Sequence, residues 1–198
     1  MPQGTLSNLA NSAFVRTPPA FAERIVRSLL SFPGEKATNI LDPTAGEGDL
    51  LIPCLDIPYV RLYGVEISAE RTNVARTRLP QAELVSCAFE GVSIPTGSMS
   101  LVLANPPYFF QDGKRAEYRI IADAGMLLMP GGVVVAIIPA ESRRLQGYRY
   151  HTPSVSVPGR SLSRVQAGGN RERHHRNYQR YQSRTRILCQ KAASFRRS

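Results

Sequence analysis

The sequence lacks any apolar run long enough to span a membrane, and its first residues lack the basic and apolar blocks of a signal peptide. It has only three cysteines, Cys54, Cys87 and Cys189, an odd number with no metal-binding spacing. We therefore expect reduced thiols, no metal site, and a soluble cytoplasmic protein. Its 198 residues, 42% of them hydrophobic, suffice for one domain of ordinary size with a real core.

Acidic residues are almost missing from the last quarter of the chain. Residues 147–198 hold 12 basic residues, eleven of them Arg, against the single acid Glu172, which gives a charge of +11. Residues 1–146 carry −1, so the net charge of +10 arises entirely in this C-terminal segment. The first three quarters are electrically ordinary, and the charge predicts nothing about their partners.

Residues 14–146 alternate between strand and helix patterns, after an irregular N-terminus at 1–13. This alternation predicts a doubly wound α/β fold with a mostly parallel sheet. In such sheets ligands bind at the carboxyl ends of the strands. The five predicted strands are 38–41, 61–66, 83–86, 100–104 and 133–139, and the predicted helices are 21–30, 50–55, 69–79 and 116–128, with another starting at Ala140.

The motif Asn105-Pro106-Pro107-Tyr108 follows the fourth of these strands. Each proline stiffens the chain and biases the preceding residue towards an extended conformation. The Asn105 side chain and the Pro106 carbonyl can then act as acceptors for an amino group that loses a proton while its nitrogen attacks. Tyr108 offers an aromatic face for stacking. By itself, the motif is equally compatible with a proline-rich turn.

A two-glycine loop, Asp42-Pro43-Thr44-Ala45-Gly46-Glu47-Gly48-Asp49, follows the first strand. Its glycines permit a tight turn and close approach of a ligand. The loop matches neither the full dinucleotide fingerprint nor a phosphate loop. Acids at both ends disfavour a pyrophosphate and favour a ligand with a cationic amino-acid end.

Two further residues have competing interpretations. Glu66 ends the second strand 18 residues after Gly48, close to the spacing at which an acid binds ribose hydroxyls. The alternative is an exposed Glu that opens the next helix. Thr17 precedes the prolines of the first helix, where a helix cap is the ordinary role.

Together these motifs resemble the class I S-adenosylmethionine-dependent methyltransferases, over roughly residues 14–145. More narrowly they are similar to amino-methyltransferases with an (Asn/Asp/Ser)-Pro-Pro-(Tyr/Phe/Trp) motif, especially adenine DNA methyltransferases of phages, plasmids and restriction systems. The order of elements agrees: a Thr-Pro helix start, the glycine loop, Glu66 and then the Asn-Pro-Pro-Tyr motif.

The resemblance implies a role for each matched residue, with S-adenosylmethionine as cofactor. Asn105 and the Pro106 carbonyl would accept hydrogen bonds from the target amine, Pro107 would complete the catalytic corner, and Tyr108 would stack on a flipped base. Glu66 would hold the ribose, and Cys87 stands where the family often has an Asp that bonds the adenine amine. The methionine end would be held by Thr17, Asp42, Ala45, Gly46 and Gly48.

The segment 147–198 departs from this family, whose fold continues with two more strands. Only seven of its 52 residues are Val, Ile, Leu, Met or Phe, too few to offset the ordering of its backbone. We predict low order and missing or replaced strands. One interpretation is an arginine-rich arm that binds nucleic acid phosphates. The other is out-of-frame sequence, which the abrupt change near Leu145 favours.

Three functions remain open at this point. The first is methylation of N6 of adenine in DNA, favoured because the early Thr-Pro segment resembles the adenine enzymes. The second is methylation of an RNA base or of a protein glutamine amide. The third is a truncated protein that binds cofactor or nucleic acid without turnover, which Cys87 and the abnormal C-terminus keep open.

Overall fold

The computed structural model describes residues 13–29, 38–111, 113–138, 150–151, 161–166 and 188–189. Within these residues the α-helices are α1 (Pro19–Leu29), α2 (Ala69–Arg78) and α3 (Ala116–Gly125). The main strands are β1 (Thr38–Asp42), β2 (Val60–Glu66), β3 (Glu83–Ser86), β5 (Met99–Ala104) and β8 (Leu128–Ile138). The short strands are β4 (Val92–Ser93), β6 (Phe110–Gln111), β7 (Lys114–Arg115), β9 (Tyr150–His151), β10 (Ser161–Gln166) and β11 (Leu188–Cys189).

The central sheet has the order β3-β2-β1-β5-β8-β10-β9. Neighbouring strands from β3 to β8 are parallel, which confirms the predicted five-stranded parallel core. Alternate residues along each strand pack on opposite faces of the sheet, as expected for a period of two. In β1, for example, Ile40 packs against one face of the core and Leu41 against the other.

Helices cover both faces of the sheet, as a doubly wound fold requires. α1 packs on one face through Ala22, Ile25 and Val26, and α2 packs beside it through Ala75. α3 covers the opposite face through Ile121 and Ala124. In the described part of the chain, no helix has the length and apolar character needed to traverse a membrane.

The predicted absence of C-terminal strands is wrong at the positions that the structure describes. β10 pairs antiparallel with β8 from Ser161–Ile138 to Gln166–Val133, and β9 pairs antiparallel with β10. Without β10, the outer edge of β8 would present a row of unpaired backbone N–H and C=O groups. A segment with few apolar residues can still pair with these groups, because the hydrogen bonds are made by its backbone. Neither interpretation of 147–198 accounts for these strands, and the domain boundary at 147 stays a prediction.

Two further expectations need correction. The helix predicted for 50–55 is reduced to a single 3₁₀ turn, Ile52–Cys54, because Pro53 lacks the N–H that a longer helix would use. The sequence after the Asn-Pro-Pro-Tyr motif, residues 109–114, predicts a loop, whereas the structure has the β6–β7 hairpin there. The helix expected from Ala140 lies outside the described residues.

Gly48 and Gly113 both have a positive φ, but only Gly48 is crowded by neighbouring side chains. Gly48 has φ +87°, and an added Cβ would lie 2.5 Å from Cδ1 of the fully buried Leu79. Gly113 has φ +73° with no atom within 4 Å of an added Cβ. We expect Gly48→Ala to cost about 3 kcal/mol of unfolding free energy, and Gly113→Ala only about 1 kcal/mol. Chemical denaturation measures both values, and equal losses would contradict a packing constraint at Gly48.

Candidate functional site

The polar residues of the site follow the carboxyl ends of neighbouring strands. Asp42 ends β1, Glu66 ends β2, and Asn105 directly follows β5. The chain leaves β1 towards β2 on one side and returns through β5 on the other, so β1 and β5 flank a topological switch point. Crevices at such points are where open parallel sheets bind ligands. The structure therefore brings these three residues to one rim, and Cys87 follows β3 along the same rim.

The glycine loop folds tightly against the end of β2. Gly46 has φ +55°, and its N–H donates to Oε2 of Glu66 at 2.9 Å. The N–H of Ala45 donates to the carbonyl of Val65 at 2.8 Å. A Cβ on Gly46 would lie 2.7 Å from the ring of Phe14, so the loop leaves no room for a side chain there. The glycines shape this loop, as predicted from their positions.

Asp42 is a buried carboxylate without a cationic partner among the described residues. It is 2% exposed, and Oδ1 accepts the Thr44 N–H at 2.9 Å. Burial raises the pKa of Asp42 to about 7, and the nearby charges of Glu66 and Asp49 also raise it. A positively charged ligand beside Asp42 would relieve this penalty. The buried carboxylate of Asp42 therefore suits a ligand with a cationic amino group.

Glu66 is held by internal donors rather than exposed to solvent. It is 6% exposed, so the alternative of a solvent-exposed Glu is wrong. Oε1 accepts the Ser68 N–H at 2.8 Å and the Arg71 guanidinium at 2.7 Å. Ser68, whose position directly before the helical pattern at 69–79 predicts an N-cap, is the N-cap of α2. A ligand hydroxyl would therefore meet a carboxylate that is already fixed in orientation.

The N-terminal strap, which we define as residues 14–17, lies across the glycine loop. The ring of Phe14 lies 4.4 Å from the Arg71 guanidinium carbon, within the range of a cation–π contact. Arg16 donates through Nε to Oδ2 of Asp49 at 2.7 Å. These two contacts fasten the strap to α2 and to the end of the loop.

Asp49 is the acidic partner in the ion pair that holds Arg16 of the strap. Burial alone would raise its pKa, but hydrogen bonds from Arg16 and Arg78 hold the pKa below its ordinary value. Arg78 Nη1 lies 2.8 Å from Oδ1 of Asp49. Asp49 and Asp42 are thus both buried, yet only Asp49 is neutralised by the described residues.

Both amide protons of the Asn105 carboxamide are donated to neighbouring groups. Its Nδ2 donates to the carbonyl of Val15 at 2.8 Å and to Oγ1 of Thr17 at 3.0 Å. Its Oδ1 lies 3.0 Å from the hydroxyl of Tyr108, which also lies 2.8 Å from the carbonyl of Ile137. One hydroxyl has one proton, and an amide oxygen has two lone pairs, so Oδ1 keeps acceptor capacity.

Two neighbouring hollows occupy the rim and share Phe14, Thr44 and Asn105. The larger has about 590 Å³ of unfilled space, part of which is open to solvent. It is lined also by Glu66, Cys87, Phe89, Pro107 and Phe109. The smaller hollow, of about 250 Å³, is lined also by Thr17, Asp42, Ala45 and Asp49. Asn105 therefore stands where the two hollows meet.

Some predicted residues lie elsewhere than expected. Pro106 is buried, and neither it nor Tyr108 lines either hollow. Thr17 is 4% exposed, and its Oγ1 accepts a hydrogen bond from Nδ2 of Asn105. Cys87 is a half-buried thiol on the wall of the larger hollow.

Several residues that shape the site were not predicted from the sequence. Phe14 borders both hollows, and Arg71 borders the larger one while it fixes Glu66. Arg119 of α3 and Glu90 form an ion pair on the wall of the larger hollow. A Phe three residues before the Thr-Pro start was the available signal for Phe14. Nothing in the spacing of Arg71, Glu90 or Arg119 marks them, since they meet only in the folded chain.

Solved structures share this architecture. A class I S-adenosylmethionine-dependent methyltransferase from Listeria monocytogenes superposes with a TM-score of 0.64 at 12% identity, over 80% of this chain and 64% of that one. The methyltransferase subunit of a type I restriction-modification system from Streptococcus thermophilus gives 0.56 at 18%, over 65% and 35%. An RNA methyltransferase from Salinibacter ruber, in complex with S-adenosylhomocysteine, gives 0.56 at 17%, over 81% and 99%.

These likenesses define the fold as Rossmann-like, of the class I methyltransferase type. The chain belongs to the uncharacterised methyltransferase family DUF6094, whose model matches residues 3–149. No curated protein matches the sequence. Family and fold together confirm the prediction of a class of enzymes that use S-adenosylmethionine. The roles of individual residues stay predictions.

The different states of Asp42 and Asp49 predict opposite effects of the same substitution. In ligand-free protein at pH 8, we expect Asp42→Asn to raise the melting temperature by at least about 2 °C, since it removes a buried unpaired charge. Asp49→Asn should lower it, because Arg16 and Arg78 lose their partner. Thermal unfolding followed by circular dichroism measures both shifts.

The pH dependence follows from the raised pKa of Asp42. Its folded pKa, about 7, exceeds the ordinary value of 3.8. Burial of the charged form therefore costs stability fully above pH 7, and this cost disappears as the pH falls towards 4. The advantage of Asp42→Asn should shrink over the same window. An advantage that stays constant from pH 8 to pH 4 would contradict the assigned ionisation.

Proposed function

We propose that the protein transfers a methyl group from S-adenosylmethionine to an exocyclic amine, with N6 of adenine in DNA as the favoured target. The observation that carries this proposal is the position of Asn105 at the meeting point of two hollows that differ in chemistry. The cofactor has an adenosine end and a cationic amino-acid end joined at the sulfonium. Each hollow suits one end, and Asn105 suits the acceptor amine between them.

The smaller hollow would hold the methionine end. Asp42 supplies an uncompensated buried carboxylate for the ammonium group. Thr17 supplies a hydroxyl proton for the carboxylate, since its oxygen already accepts from Asn105. Ala45 lines the hollow, while Gly46 and Gly48 provide the positive φ values that bring the loop backbone close.

The larger hollow would hold the adenosine end. Glu66 has a fixed carboxylate for the ribose hydroxyls, and its Oε2 accepts only the Gly46 N–H among the described contacts. Cys87 lies on the wall where an Asp would bond the adenine amine, so this contact is weaker here. Phe89 and Phe109 supply apolar surface on the same wall. The bound cofactor supplies a methyl group on a sulfonium, an electrophile that needs only alignment.

The residues of the Asn-Pro-Pro-Tyr motif would orient the acceptor amine. Oδ1 of Asn105 accepts one amine proton with its remaining lone pair, and the Pro106 carbonyl accepts the other once the substrate is bound. Pro107, on the wall of the larger hollow, stiffens this corner. Tyr108 lies outside both hollows, so its ring would stack on a base that enters from the solvent side.

The preference for DNA over the alternatives rests on the resemblance of the Thr-Pro start to adenine DNA methyltransferases. The restriction-modification subunit shares the fold, but so does the RNA methyltransferase, and each is less than 25% identical. Methylation of an RNA base or of a glutamine amide uses the same acceptor geometry. The substrate assay therefore includes all three.

Methyl transfer from labelled cofactor is the direct test. Unmethylated duplex DNA, an RNA of the same sequence and a glutamine-containing peptide are offered in parallel, with mass spectrometry of the product nucleosides and of the peptide. We expect N6-methyladenine from DNA. Asn105→Ala should reduce its rate at least about 100-fold, because the acceptor of the amine proton is lost. Asn73→Ala, on the exposed surface of α2, is the matched control and should retain the wild-type rate.

Each outcome of that assay has a distinct meaning. Equal rates for wild type and Asn105→Ala would refute the assigned chemistry. Transfer only to RNA or peptide would move the substrate to the second alternative. Cofactor binding without transfer to any of the three would favour the third, a binding protein without turnover.

Cofactor affinity should depend on pH through Asp42. The ligand ammonium stays protonated below its ordinary pKa of about 7.7, whereas Asp42 ionises near pH 7. We expect the dissociation constant of S-adenosylmethionine to fall about tenfold between pH 5.5 and pH 7. Isothermal titration calorimetry measures this change. Asp42→Asn should bind more weakly and lose the pH dependence; an unchanged dependence would exclude Asp42 from the site.

A further inference from the structure

The acceptors around the Asn105 amide are supplied by the N-terminal strap. Nδ2 has two protons, and one is donated to the Val15 carbonyl and the other to Thr17 Oγ1. Thr17 is 4% exposed, so water has little access to replace its oxygen. The strap thus satisfies both donors of a side chain that lies about 90 residues later in the chain.

This arrangement decides which end of the carboxamide faces the acceptor amine. A carboxamide presents oxygen and nitrogen in nearly the same shape, and rotation by half a turn exchanges them. A backbone carbonyl only accepts, so the Val15 side of the amide must be Nδ2. A reversed amide would set two oxygens against each other there. A hydroxyl can donate or accept, so the contact with Thr17 selects the same orientation when the Thr17 proton is donated to another group.

We propose that Thr17 is a positioning residue that, through its hydrogen bond from Nδ2, holds the Asn105 carboxamide in the orientation needed for methyl transfer. This inference rests on the proposed function of Asn105. The oxygen and the proton of the Thr17 hydroxyl then have separate partners. The oxygen accepts from Asn105, and the proton stays available to a ligand in the smaller hollow. Occupancy of that hollow would then order Asn105 through one hydroxyl group.

Three variants separate this role from simple cofactor binding. Thr17→Val keeps the shape but removes the acceptor, Thr17→Ser keeps the hydroxyl, and Thr77→Val removes a hydroxyl from the exposed surface of α2 as the control. At saturating cofactor, we expect kcat of Thr17→Val to fall about tenfold, with Thr17→Ser near wild type and Thr77→Val unchanged. A rise in the cofactor KM with unchanged kcat would overturn the inference.

A second measurement does not need activity. In ligand-free, ¹⁵N-labelled protein, the side-chain amide signals of Asn105 are assigned by their loss in Asn105→Ala. We expect Thr17→Val to shift these signals and speed their exchange with water, while Thr77→Val leaves them in place. Unmoved signals would overturn the inference even if the enzyme is active. Shifted signals in a protein that methylates no substrate would instead refute the proposed function alone.

Discussion

Three buried carboxylates at one rim of a parallel sheet set the energetics of this molecule. Asp42, Asp49 and Glu66 are each less than 10% exposed, and burial of unpaired charge is costly. Asp49 is neutralised by Arg16 and Arg78, and Glu66 by Arg71 together with backbone donors. Asp42 keeps its penalty, with a pKa raised to about 7. Among the described residues, the carboxylate of Asp42 therefore lacks a neutralising charge beside the smaller hollow. A cationic ligand would supply this charge, and a neutral ligand would not.

The same arginines that neutralise the acids also build the site. Arg16 belongs to the N-terminal strap, and Arg71 stacks under Phe14 of that strap while it fixes Glu66. Loss of either ion pair would therefore release a wall of the hollows as well as expose a charge. This coupling explains why the strap, which belongs to no helix or strand, lies in a defined position over the glycine loop. Its ionic and aromatic contacts involve the arginines that neutralise Asp49 and Glu66.

Most of the fold was predictable because period-two and helical patterns report directly on burial. β1, β2, β3, β5 and β8 and the Ser68 cap agree with the sequence analysis. The 3₁₀ turn at Ile52–Cys54 was missed because apolar spacing outweighed the lack of a donor at Pro53. β10 was missed because the composition of a segment does not show whether the edge of a neighbouring strand is available for backbone pairing. The acids of the site follow strand ends and were found, whereas Arg71 and Phe14 act through contacts that no local spacing encodes.

The surroundings of residue 105 also explain why asparagine, among the residues that begin such motifs, occupies it here. An aspartate could still accept from Tyr108, but it has no proton for the Val15 carbonyl and would bring a fourth carboxylate near Asp42 and Glu66. A serine could donate only one proton, and the strap offers two acceptors at 2.8 and 3.0 Å. Asparagine alone donates twice on one side and accepts on the other without adding charge. The strap and the motif therefore constrain each other. The strap accepts both protons of Nδ2, and the Asn105 carboxamide is thereby oriented with Oδ1 on the opposite side.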